Sequence, residues 1–318
     1  MSHAHAAILR QLGAQVLQRD WLSANNIVFA AAGSTPATIV DTGYARHADM
    51  TLALVDQALA GAPLERIVNT HLHSDHCGGN GALQAHYQVR TYVPAPSLAA
   101  VRAWDEARLS YRPTGQWCPR FLADAAIGHG SVWPLGHATW QVAAAPGHDP
   151  DAVLLFEPET RTLISGDALW EDRLAIIFPE LAGEDGFGPA RRTLDLIETL
   201  APRCVIPGHG DVFGDVEAAL AASRARLDGF ERAPSRHARH AARALVMFHM
   251  LEHTRRDRAE LEAWLPQTPI FQRCARLSDA TLAPTSWARE LVAQLVGDGL
   301  LRDDAGALSL APPAGPSP

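Results

Sequence analysis

Thr70-His71-Leu72-His73-Ser74-Asp75-His76-Cys77-Gly78-Gly79-Asn80 is the stretch that decides how this chain is read. Three histidines and one aspartate fall within the six residues from His71 to His76. The run Arg66-Ile67-Val68-Asn69-Thr70 that leads in reads as a buried strand. Gly78-Gly79-Asn80 reads as a turn opening a helix. Imidazoles crowded against a carboxylate are poor core material, and an unpaired carboxylate is costly to bury. A divalent cation resolves that conflict, because these are the side chains that zinc and iron accept. His71 and His73 sit at i and i+2, so an extended backbone points both to one side. Asp75 and His76 follow at the bend and can face a second metal.

Outward from this loop the same device recurs: a short apolar strand, a glycine-containing turn, one histidine or aspartate. A strand over 139–145 runs into Pro146-Gly147-His148-Asp149. A hairpin of 152–157 and 161–165 delivers Gly166-Asp167, and 204–206 ends in Pro207-Gly208-His209-Gly210. Ligands at the ends of several core strands are what a preorganised metal site needs.

Between these points the periodicity predicts helices over 4–18, 47–60, 96–109, 189–200 and 214–233, with a further one ending near residue 86. It predicts further strands over 26–30, 38–40 and 88–93. Residues 110–138 are less regular, the character of a substrate loop or a surface excursion. Near Ala233-Pro234-Ser235 the character changes. Helices over 236–253, 258–265 and 285–297, then a hairpin of 300–302 and 307–310, make a winged-helix-like pattern. The expected organisation is a catalytic domain over 1–232, a helical domain over 233–312 and a disordered, proline-rich tail over 313–318. In the helical domain Arg239, Arg243, Arg255, Arg256 and Arg258 alternate with Glu252, Asp257, Glu260 and Glu262. That mixture favours a packing or homodimerisation module over DNA binding. His237, His240, His249 and His253, with no carboxylate motif beside them, read as solvated or capping side chains.

Composition bounds the function classes. A chain of 318 residues, 47% hydrophobic and 19% charged, describes a soluble globular protein. The net charge of -8 disfavours a nucleic-acid surface. All 27 basic residues are arginine, which excludes a P-loop lysine and Schiff-base chemistry. Cys77, Cys118, Cys204 and Cys274 are widely spaced, which suits a reducing cytoplasm. No secretory leader pattern and no 18-residue apolar run is seen, so a cytoplasmic location without a membrane partner is expected.

The motifs HLHSDH, GGN, PGHD, SGD and PGHG, in that order, resemble those of the metallo-β-lactamase-fold hydrolases. The resemblance spans roughly residues 20–230. With its helical tail the chain is most similar to the glyoxalase II-like and LACTB2-like branch. The resemblance implies an α/β fold, an αββα sandwich with the site at one edge. It implies that His71, His73 and His148 hold one metal, that Asp75, His76 and His209 hold another, and that Asp167 bridges them. Two divalent ions follow from it, Zn2+ first, with iron or manganese as alternatives. A hydroxide between the ions would be the nucleophile, and Asp75 would relay a proton to the leaving group.

Departures narrow the branch. His73 stands where flavodiiron oxygen reductases carry glutamate. Ser165-Gly166-Asp167 lacks the cysteine that many true β-lactamases use there, so a β-lactamase is not expected. Only 41 residues lie between Asp167 and His209, too few for the inserted domain of the RNA-processing nucleases. The expected reaction is hydrolysis of a small ester, thioester or lactone. The alternatives are a mononuclear-iron persulfide dioxygenase, using His71, His148 and Asp167, and a metal-dependent nuclease. The small-molecule substrate is expected to meet Tyr111, Arg112, Trp117 and Trp170, with Trp104, Phe178 and Phe187 as further lining. Cys77, at a helix start, reads as a small packed residue in preference to a reactive thiol.

Overall fold

Alternate residues of the short apolar strands face opposite ways, and that period of two builds the layers. The computed structural model describes residues 2–311, so the expected tail at 313–318 lies outside the described residues. The chain divides into two compact units, Met1–Arg112 with Gln116–Gly229, and Pro113–Gly115 with Phe230–Pro318.

In the first unit, six strands form a sheet in sequence order: β1 (Ala14–Leu17), β2 (Asn26–Phe29), β3 (Thr38–Val40), β4 (Arg66–Val68), β5 (Arg90–Pro94) and β6 (Ala125–Ile127). β1, β2 and β3 pair antiparallel, and β3 through β6 pair parallel. A second sheet holds β7 (Val132–Leu135), β8 (Ala138–Ala144), β9 (Val153–Glu157), β10 (Thr162–Gly166) and β11 (Cys204–Pro207), in the spatial order β11-β10-β9-β8-β7. Only β10 and β11 are parallel there. Phe29, Val40 and Val68 of the first sheet share one core with Trp140, Leu155, Ile164 and Ile206 of the second. Their neighbours Val28, Ile39 and Ile67 face the other way. They pack with Val55 of the helix Ala48–Ala58 and Leu83 of the helix Asn80–Tyr87. The result is the expected mixed α/β sandwich, two sheets face to face with helices outside.

Three local expectations are corrected. The helix over 4–18 stops at Leu12, because Gly13 adopts a left-handed φ of +68° and its N–H bonds back to Arg10. Residues 14–17 then pair with β2, which satisfies the backbone groups of that strand. The helix over 96–109 ends at Ala103, where Trp104 turns left-handed and packs its ring on Tyr111 and Phe121. The irregular stretch 110–138 contains the short helix Tyr111–Thr114 as well as β6 and β7.

Among its described residues the second unit has four α-helices, not three: Pro234–His253, Arg258–Trp264, Pro269–Ser278 and Pro284–Gly297. The one the sequence pattern missed, Pro269–Ser278, buries Ile270, Phe271, Cys274 and Ala275 along one face. Strands β12 (Arg255–Asp257), β13 (Leu301–Asp304) and β14 (Ala307–Leu310) form a sheet in the order β12-β14-β13. Arginines of this unit pair internally: Arg243 with Asp298 at 2.7 Å, and Arg258 with Glu262 and Asp303 at 2.8 Å each. No helix among the described residues is long and apolar enough to cross a membrane.

His237 and His249 are buried here, against the expectation that they are solvated. Burial first, and then the neighbouring His240, brings the His237 imidazole down to about 4. A histidine whose folded pKa lies below its unfolded value contributes stability above the unfolded value and loses it as pH falls. The window here runs from about 6.5 down to about 4. Within it, this residue is expected to cost about 1 kcal/mol per pH unit. Urea unfolding at about pH 7.5 and about pH 5, compared between wild type and His237→Gln, checks this. Equal losses in both proteins would remove His237 as the cause.

Candidate metal centre

Four strand ends deliver the site. β4 runs out through Asn69 and Thr70 into His71 and His73, and the one-turn helix Ser74–Cys77 carries Asp75 and His76. The turn between β8 and β9 presents His148, β10 ends at Gly166 before Asp167, and β11 ends at Pro207 before Gly208 and His209. Because β10 and β11 are parallel, both terminate on the same side, and the Gly208 N–H donates to the Gly166 carbonyl at 2.8 Å. The His148 turn is pinned from the helix Phe187–Leu200, whose Thr193 hydroxyl donates to the Pro146 carbonyl at 2.8 Å. Gly208 has no room for a side chain: a Cβ there would stand 2.1 Å from Asp167 Oδ1 and 2.8 Å from His76 Cε1.

All seven expected ligands are buried together. Their donor atoms fall into overlapping trios, each within 4.8 Å: His71, His73 and His148; His71, His76 and Asp167; Asp75, His76 and His209. His73 Nδ1 and His148 Nε2 are 2.7 Å apart. His209 Nε2 and Asp75 Oδ2 are 3.0 Å apart. Asp167 reaches both sides, with Oδ1 3.3 Å from His76 Nε2 and Oδ2 3.3 Å from His148 Nε2.

The nitrogens that face away from this centre are held. His148 Nδ1–H donates to the Ile176 carbonyl at 2.6 Å, and His76 Nδ1–H donates to Asp41 Oδ2 at 2.8 Å. Asp41 also accepts from the Thr70 backbone N–H at 2.9 Å and from the Thr70 hydroxyl at 2.7 Å. The nitrogens that face inward, His71 Nε2 and His76 Nε2, are buried without a hydrogen-bond partner. Buried polar atoms are normally satisfied, so these two orphans in a cluster of anionic and imidazole donors fit a bound cation. Outer partners that fix each ring are the usual companions of metal-binding histidines.

The charges are set for ligation. Burial, then the neighbouring imidazoles, holds His71 well below its ordinary value and His73 down to about 3, so both are neutral. Burial likewise lowers His148. Burial would lift the Asp167 carboxyl, but His76, His209 and His148 hold it well below the usual carboxylate range. Asp75 is lowered in the same way, by His76 and His209 against its burial. His76 goes the other way: Asp167, Asp41 and Asp75 overcome its burial and raise it, so a metal must displace that proton.

An aromatic wall surrounds the centre. Trp21 stacks on His209 with ring centroids 5.3 Å apart, and Trp170 meets both edge-on. The Trp170 indole N–H donates to Asp167 Oδ1 at 3.1 Å. Phe178 packs on His73 and His148. Of the expected substrate residues, Trp170 therefore lies at the centre. Tyr111 is sealed in the core with its hydroxyl 3.1 Å from Cys77 Sγ, and so offers no face to a ligand. Arg112 is exposed and lies 3.6 Å from Glu106, and Trp117 is exposed. Cys77 is buried 3.8 Å from Cys118 Sγ, and burial pushes its thiol up, as a packed residue requires. Asp41 and Trp21 escaped the sequence reading. Asp41 carried a signal, an aspartate at a strand end in Asp41-Thr42-Gly43 like the ligands themselves; Trp21 carried none.

Fold and site together define a metal-dependent hydrolase of the αββα class. The chain belongs to the metallo-beta-lactamase superfamily, whose family model matches residues 19–209. Among curated proteins it is 24% identical over 220 residues to the acyl-coenzyme A thioesterase MBLAC2 of Bos taurus, spanning 63% of this chain and 78% of that protein. It is 26% identical to the probable metallo-hydrolase YflN of Bacillus subtilis, over 58% of this chain and 80% of that one. Two solved structures share the fold over 94% of the chain. They are a metallo-beta-lactamase family protein from Thermus thermophilus (TM-score 0.55, 19% identity, 98% of that chain) and a beta-lactamase domain protein from Burkholderia ambifaria (TM-score 0.55, 21% identity, 92% of that chain).

Proposed function

We propose that this chain is a dinuclear metal-dependent hydrolase of a small acyl substrate, a thioester in first place, with esters and lactones as the neighbouring class. The observation that carries this is the pair of donor trios joined by Asp167, with one carboxylate oxygen turned to each side. His71, His73 and His148 would hold one ion, Asp75, His76 and His209 the other, and Asp167 both. Zn2+ suits this mixture of imidazole and carboxylate, and iron or manganese are the alternatives. Bound divalent ions supply an acidified water, with a pKa of about 7, and polarise the acyl carbonyl.

The protein's own groups do the rest. The Asp75 carboxylate is placed to accept a proton and return it to the leaving group. The Trp170 N–H fixes the Asp167 carboxylate, and Asp41 fixes His76 and Thr70. Trp21, Trp170 and Phe178 give the centre an apolar flank that suits an acyl chain. The thioester preference is supported by the likeness to a thioesterase noted above.

The test is metal content per chain by elemental mass spectrometry, on protein purified without chelator, followed by hydrolysis assays on acyl thioesters, aryl esters and lactones. At least two divalent ions per chain are expected, with a thioesterase activity lost to a chelator and restored by Zn2+. A single iron per chain with oxygen uptake on a persulfide would overturn the dinuclear reading.

A further inference from the structure

We propose that His249, Glu252 and His253 form an additional metal site in the helical unit, one that takes a borderline divalent cation such as Zn2+. The three residues stand at i, i+3 and i+4 of the helix Pro234–His253, so they share a face. Each offers a ligand atom, and those atoms lie within 4.8 Å of one another. The sequence reading set these histidines aside for want of a carboxylate; helical phase supplies it as Glu252.

Several features mark a built site. His249 and Glu252 are 6% and 7% exposed, so neither is a surface group swinging in solvent. His249 Nε2 is buried and has no hydrogen-bond partner, the same condition found for His71 and His76 in the first centre. The His249 ring is locked by stacking on Trp264, with centroids 4.1 Å apart and planes 20° off parallel, and Trp264 in turn packs on Phe271. The His253 ring lies 4.2 Å from that of His249, and its Nε2 is 3.7 Å from Glu252 Oε2. The His253 side chain is 27% exposed, which leaves a route for an ion and its remaining waters. The trio occupies the last turn of its helix, where the carbonyl ends favour positive charge. Arg256 is the opposing charge nearby, and its guanidinium is turned to Glu260 at 3.9 Å. Two neutral imidazoles and one carboxylate are a donor set that zinc accepts, with further positions left to water.

Zn2+ binding to the full-length protein tests this. Wild type, His253→Ala, His249→Ala/His253→Ala and Asp167→Ala/His209→Ala are stripped with a chelator, and Zn2+ alone is titrated back against a chromophoric competitor. The double histidine variant is expected to bind one Zn2+ fewer than wild type. Asp167→Ala/His209→Ala is expected to keep that ion while losing affinity in the first centre. His253→Ala, at a partly exposed position, is expected to weaken the additional ion on the order of tenfold or more. Should the double variant fail to fold by circular dichroism, Glu252→Gln takes its place, with the same tenfold weakening expected. A folded variant of this trio that binds as many Zn2+ ions as wild type, at unchanged affinity, overturns the site.

Discussion

Asp167→Ala is expected to lose affinity for both ions proposed for the first centre together, and with them hydrolysis. Asp167 turns an oxygen toward each half of the cluster, Oδ1 3.3 Å from His76 Nε2 and Oδ2 3.3 Å from His148 Nε2. Its removal also leaves His76 with Asp41 and Asp75 as its only charged partners among the described residues. Losing an outer partner of a metal ligand typically costs about 10–100-fold in affinity, and losing a shared ligand should exceed that. Elemental mass spectrometry gives the count, and chelator competition gives the affinities. Retention of either ion at wild-type affinity would remove Asp167 as the shared ligand. The effect should not be mistaken for unfolding, because Asp167 follows β10 and makes no ladder hydrogen bond of that strand.

Gly208→Ala is the second substitution with a large expected effect, and it acts without removing any ligand. The added methyl would stand 2.1 Å from Asp167 Oδ1, 2.8 Å from His76 Cε1 and 3.1 Å from the Gly166 carbonyl carbon. None of these can give way cheaply. Asp167 is held by the Trp170 N–H, and His76 is held by Asp41. The carboxylate must therefore swing off its position between the trios, or β11 must separate from β10. Metal affinity is expected to fall at least about 10–100-fold, with roughly 1–3 kcal/mol of stability lost to overpacking. Thermal unfolding of the metal-free protein separates the two contributions. Unchanged metal affinity in a folded Gly208→Ala protein would show that the close approach has slack.

Much of the first centre was legible because its elements carry their signal locally. A strand-to-turn transition with a glycine and a histidine is visible in a dozen residues, and it recurs at His148, Asp167 and His209. The unbroken apolar runs of β2, β3 and β4 likewise announce strands buried on both faces before any partner is known. Where the sequence misled, a neighbour in space had overridden local preference. Residues 14–17 have helical spacing with 4–12, but Gly13 and the open edge of β2 recruit them into a sheet. Tyr111 looks like a pocket residue in an irregular segment until Cys77, Trp104 and Cys118 close around it. The helix Pro269–Ser278 is stabilised by the face it buries, Ile270, Phe271, Cys274 and Ala275.

By itself the sequence determined the order of the histidine- and aspartate-bearing loops, since each depends on residues adjacent in the chain. The sandwich class and the seven candidate donors came from the resemblance those motifs carry. Only the tertiary structure decided that Nε2 of His71 and of His76 faces inward and that Asp167 turns one oxygen to His76 and the other to His148. It likewise decided that Asp41 and Trp21, far away in the chain, support His76 and cover His209. The reason is physical. Ligand identity is a property of a side chain, whereas ligand geometry depends on which strand ends finish side by side. That follows from sheet pairing and packing across the whole domain.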